Sequence, residues 1–123
     1  MTITLSKVVN ELLSKVKITH EHAIVFKDIV SIDGFYSESL VRIVTHAHKD
    51  HLYGLRDSIR KNPLIAMTKA TYDILTALGY RIPKEKTLTL NYNQEFKIGD
   101  LTLSLHKAKH IIGAAQVLVI DGE

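Results

Sequence analysis

The chain has 123 residues, 46% of them hydrophobic and 24% charged, with a formal charge of +3 and no cysteine. That size and balance suit one folded domain with its own core and exclude the low-hydrophobicity profile of a disordered chain. Disulfides are excluded, so any metal must be held by histidine and carboxylate.

No apolar run approaches the ~18 residues of a membrane span, and the N-terminal stretch MTITLSKVVNELL lacks the layout of a signal peptide. A cytoplasmic protein with no membrane partner is the resulting expectation. The mildly basic charge suits a polyanionic partner without requiring one.

Ser6 to Val16 carries Val8, Val9, Leu12, Leu13 and Val16 at helical spacing, which predicts a short amphipathic helix capped by Ser6. From His20 to Ile32 the β-branched runs predict two strands or one bent strand, closed by the turn signal Asp33-Gly34. Val41 to Thr45 (VRIVT) predicts a buried strand, Leu52 to Arg60 a helix, and Leu64 to Met67 a short strand after Pro63. Thr68 to Leu78 predicts a second helix, with Thr68 as its cap and Gly79 at the position past its C-terminus. Three strands follow at Lys86 to Leu90, Glu95 to Ile98 and Leu101 to Leu105, the last two joined by Gly99-Asp100. Ala115 to Ile120 is a final apolar strand running into the hairpin signal Asp121-Gly122, and a hairpin turn calls for a returning strand. The expectation is a single domain over residues 1–123 that is the N-terminal part of something longer.

Strand VRIVT delivers the chain into Thr45-His46-Ala47-His48-Lys49-Asp50-His51. If the backbone stays extended, His46 and His48 point to the same side and can grip one ion. Asp50 and His51 come where a helix begins, so the turning backbone aims them at a second, neighbouring position. A polar turn capping a helix is the bland alternative, but four ligand-type residues in six positions at a strand end favour a site.

The run His46-Ala47-His48-Lys49-Asp50-His51 resembles the HxHxDH motif of the metallo-β-lactamase superfamily, and the other elements fit that fold in order. Asp33, 13 positions before His46, is similar to the acidic residue that supports the metal-binding loop in that family. His110, in HIIGAAQVLV, resembles the family's third motif, although Lys109 and Ala114 stand where glycine and serine are common. The phrases IDGF, DHLYGL and HIIGAA resemble the nuclease branches, namely the β-CASP RNA-processing enzymes and the DNA cross-link repair exonucleases.

The resemblance implies the N-terminal half of an α/β, αββα layered sandwich. It implies that His46, His48 and His110 bind one zinc while Asp50 and His51 bind a second, with Asp50 and His51 catalytic and Asp33 supporting. Two zinc ions ~3.5 to 4 Å apart lower the pKa of a shared water enough to give metal-bound hydroxide at neutral pH. The implied function is a zinc-dependent nuclease whose partner is RNA or DNA. The alternatives are a small-molecule hydrolase of the same fold, acting on an ester, thioester or lactone, and a noncatalytic metal-binding module. Asp50 and His51 alone are too few to hold zinc firmly, so about one zinc is expected on this chain.

The remaining histidines read differently. His20 and His22 form a His-Glu-His stretch without a third ligand nearby and suit a surface strand edge. His106 and His110, four apart on a strand, would lie ~13 Å from one another, too far to share an ion. Lys49, Arg56, Arg60 and Lys61 make either a phosphate-facing patch or a solvated helix face.

Overall fold

Val16, expected to end a helix, instead begins strand β1 (Val16–Ile18) of the computed structural model, which describes residues 14–20, 22–109 and 111–122. The rest of the expected Ser6-capped helix lies outside the described residues. β1 pairs antiparallel with β2 (Ile24–Phe26), and β2 with β3 (Val30–Ile32). The β2 to β3 turn uses two non-glycine residues at positive φ, Lys27 at 49° and Asp28 at 57°, and closes with Ile29 N–H on Phe26 O at 2.9 Å.

From β3 onward the pairing becomes parallel, through β4 (Val41–Ile43), β5 (Leu64–Met67) and β6 (Thr87–Thr89), giving a six-stranded sheet in sequential order. Helix α1 (Leu55–Lys61) crosses from β4 to β5, and α2 (Lys69–Ala77) from β5 to β6. The caps of α2 fall where the sequence places them: Thr68 Oγ1 accepts from Thr71 N–H at 3.2 Å, and Gly79 takes φ 98° just past the end. Helix α1 starts at Leu55 rather than Leu52, because a 3-10 turn (Lys49–His51) and Gly54 at φ 63° intervene. A second 3-10 turn (Lys84–Lys86) takes Lys86 out of the expected strand.

The second sheet is antiparallel and three-stranded, with β7 (Glu95–Ile98), β8 (Leu101–Lys107) and β9 (Ala115–Asp121). Its inner face, including Leu101, Leu103, Leu105 and Ala115, packs on Val30, Ile32, Val41, Ile43 and Ala66 of the first sheet. The first sheet's other face buries Val44, Ile65 and Met67 against Leu55 of α1 and Leu75 of α2. The layers are therefore helices, sheet, sheet, the α/β layering expected. At one edge Asp121 ties the sheets together through Lys15 and Lys27, both at 3.0 Å. Among the described residues no helix is long and apolar enough to cross a membrane.

Candidate metal centre

Because β3, β4 and β5 run parallel, their carboxyl ends lie side by side, the place where open α/β sheets bring polar groups together. Asp33 follows β3, Thr45 and His46 follow β4, and Thr68 follows β5. Asp33 holds φ 54°, and its backbone N–H bonds Ile43 O at 3.0 Å, so the side chain turns toward the end of β4. Gly34 is then required by space: a Cβ there would sit 2.3 Å from Ala23 N.

Both oxygens of the Asp33 carboxylate accept hydrogen bonds within the protein. Oδ1 accepts Thr45 N–H at 2.9 Å, while Oδ2 accepts Thr45 Oγ1–H at 2.5 Å and His51 Nδ1–H at 2.8 Å. Thr45 has a single hydroxyl proton, and the carboxylate takes it. Its oxygen must therefore accept from His46 Nδ1 at 2.8 Å. One carboxylate thus fixes both imidazoles with Nδ1 protonated, which assigns the ligand lone pair of each to Nε2.

His46 is nearly buried, and its ring centroid lies 3.9 Å from that of His51 and 5.0 Å from that of His48, edge-on to the latter. Asp33, His46 and His51 each bring a ligand-type atom within 4.8 Å of the other two. With both its oxygens accepting hydrogen bonds, Asp33 orients the imidazoles, which makes His46 and His51 the better candidate ligands of that trio. Asp50, largely exposed, lies with Oδ2 3.6 Å from His51 Nε2. Donors of this kind, two oriented imidazoles beside a third imidazole and a carboxylate, fit zinc or a similar borderline divalent cation.

His110 lies outside the described residues. Its flanking segments are anchored at this end of the molecule: Ala115 N–H bonds Thr45 O at 2.8 Å, and Gly113 O accepts from Thr68 Oγ1 at 2.8 Å and Thr71 Oγ1 at 3.1 Å. Beside that loop opens a cavity of about 520 Å³, lined by Lys69, Lys107, Lys109, Leu90, Tyr92 and Ile111 among others.

Other expected residues separate from the cluster. His22 takes φ 65° and stacks on Tyr53 at 4.2 Å, and neither His20 nor His22 lies on a strand, against the strand edge expected. His106 Nε2 bonds Ser104 Oγ at 2.8 Å on β8. Arg56 and Arg60 line a cavity of about 390 Å³ together with Arg81, and Arg56 also packs on the Tyr80 ring at 4.6 Å. Lys49 belongs to the 3-10 turn and Lys61 ends α1. Nothing in the sequence marks Thr45, Arg81 or Lys107 as a site residue, because a strand-end threonine and scattered basic residues carry no pattern of their own.

No protein-family model matches the sequence. A UPF0173 metal-dependent hydrolase of Saccharolobus solfataricus is 35% identical over 83 residues, covering 66% of this chain and 36% of that protein. Igni18, a metallo hydrolase of Ignicoccus hospitalis, superposes with a TM-score of 0.63 at 16% identity, over 87% of this chain and 55% of its own. The metallo-β-lactamase fold protein YhfI of Bacillus subtilis superposes at 0.59 and 16%, over 81% and 49%. The chain thus has the metallo-β-lactamase fold and spans little more than a third of the curated relative it matches.

Proposed function

We propose that this chain contributes the metal-binding end of a metal-dependent hydrolase acting on a small anionic substrate such as an ester, thioester or lactone. The observation that carries the reading is the pair of imidazoles, His46 and His51, both held in the Nε2-ligand tautomer by Asp33, one directly and one through Thr45. Histidines that ligate a metal are commonly oriented in this way, through a partner on the ring nitrogen that does not bind the ion. The similarity to a relative named a metal-dependent hydrolase supports the same reading.

His46, His48 and His51 would hold the cation, with Asp50 and His110 as further donors. When bound, zinc supplies Lewis acidity toward the scissile carbonyl or phosphoryl group and makes water acidic enough to attack at neutral pH. The protein's own share is to hold the ligands rigid, through Asp33 and Thr45, and to bind the rest of the substrate. The cavity of about 520 Å³ is of small-ligand size, and Lys69, Lys107 and Lys109 suit an anionic group beside the apolar Leu90 and Ile111.

A nuclease is the second reading, favoured by Arg56, Arg60 and Arg81 around one cavity and by the net positive charge. The residues on this chain suit about one tightly held zinc, so metal analysis after purification without chelator tests the site, and zero or two tight equivalents would contradict it. Assays with zinc or manganese then separate the functions. Turnover of esters, thioesters or lactones that disappears in His46→Ala supports the leading reading, and cleavage of oligonucleotides alone would replace it with the nuclease. Metal uptake without either turnover would make the chain a noncatalytic module.

A further inference from the structure

Arg42, in the middle of β4, is fully buried on the helix-covered face of the sheet, in register with Ser31 and Ile65. Its fork spans the segment that follows the histidine cluster. One terminal nitrogen donates to Tyr53 O at 2.9 Å and to Ser58 Oγ at 3.0 Å, and the other to His51 O at 3.2 Å. Nε makes no hydrogen bond, and among the described residues no carboxylate forms an ion pair with the guanidinium. Burial pushes it down to about 10, against the partial opposition of Asp33.

A buried cation bonded only to neutral acceptors is costly, and a well-packed apolar residue of similar volume is often as stable or more so. The cost is explained if the contacts serve the site. Two of the three acceptors belong to His51 and to the chain two residues beyond it, where the 3-10 turn uses the His51 and Leu52 N–H groups and the His51 and Tyr53 carbonyls take the Arg42 fork. Asp33 orients the His51 ring from the side-chain end, and Arg42 holds the same residue from its carbonyl.

We propose that Arg42 is a positioning residue for the metal centre, anchoring the 51–53 backbone so that His51 presents Nε2 at a fixed place. This rests on the metal-site reading above. Lysine cannot reproduce the fork, since its single ammonium cannot span both carbonyls and Ser58 in the same arrangement.

The test compares Arg42→Met, Arg42→Lys and the unaltered chain by zinc competition against a chromophoric chelator, with thermal melting in the absence of metal. The expected result is that Arg42→Met melts no earlier than the parent, yet binds zinc about 10- to 100-fold more weakly, as loss of a ligand-orienting partner does. Arg42→Lys falls between the two. Should Arg42→Met fail to fold, a zinc affinity measurably weaker than the parent's is required of Arg42→Lys. Unchanged zinc affinity in a folded variant overturns the positioning role and leaves the metal site standing. Failure of the unaltered chain to bind zinc overturns both.

Discussion

Asp33 and His51, 18 residues apart, meet at 2.8 Å through Oδ2 and Nδ1, while the same oxygen takes the Thr45 hydroxyl proton at 2.5 Å. The consequence is a chain of fixed protons. Replacing Asp33 by asparagine leaves one acceptor oxygen and turns an N–H₂ toward groups that are themselves donors. Asp33→Asn is therefore expected to weaken zinc binding about 10- to 100-fold with the fold retained, as measured by chelator competition alongside circular dichroism.

Thr45 relays between Asp33 and His46, so Thr45→Val loosens the hold on the His46 tautomer while leaving the direct Asp33–His51 bond in place. Its effect on zinc affinity should be smaller than that of Asp33→Asn. The double variant should lose less than the sum of the two single losses, because both act on one network. Strict additivity would show that Thr45 and Asp33 act separately.

Gly34 lets the end of β3 pass against the Ala23 backbone, where a Cβ would lie 2.3 Å from Ala23 N. The obstructing atoms are main chain and cannot rotate aside. Gly34→Ala should cost about 3 kcal/mol, the upper end of ordinary overpacking, and show as a lower urea midpoint. Gly79→Ala meets no neighbour and should cost less, through its φ of 98° alone.

The exposed trio Lys17, Asp28 and Tyr36 gives a pH signature. Lys17 donates to Asp28 at 2.8 Å, and the Lys17 and Tyr36 hydrogen bonds hold the Asp28 carboxyl below its ordinary value. The unfolded chain then binds more protons in that window, so stability is present above the ordinary carboxylate value and is lost as pH falls through the folded one. In acid titration of the melting temperature, Asp28→Asn should flatten that part of the curve slightly, and 1 M salt should erase the difference, since exposed pairs are screened.

Much of this arrangement is legible in the chain itself, for reasons particular residues make plain. VRIVT and LIAM read as strands because both faces are buried, and Thr68 and Gly79 mark the ends of α2 because caps are local chemistry. The Lys27-Asp28 turn escapes notice, since neither residue is the glycine or asparagine such a turn usually advertises. Val16 follows helical spacing, yet a partner strand eight or more residues away claims it. Arg42 is the least legible: a charged residue in a strand reads as solvent-facing, and its acceptors on His51 and Tyr53 are brought over it only by the turn after β4. Within the cluster, spacing shows that His46 and His48 share a side. It does not show that the 3-10 turn folds His51 back to within 3.9 Å of His46.

The tautomer assignment is the claim on which the metal centre depends, and nitrogen-15 NMR of the histidine rings tests it directly. Without metal, His46 and His51 should each show a protonated Nδ1 and an unprotonated Nε2, and zinc should shift the Nε2 resonances while the Nδ1 protons remain. Protonation at Nε2 in either neutral ring, or zinc binding that displaces an Nδ1 proton, would contradict the account.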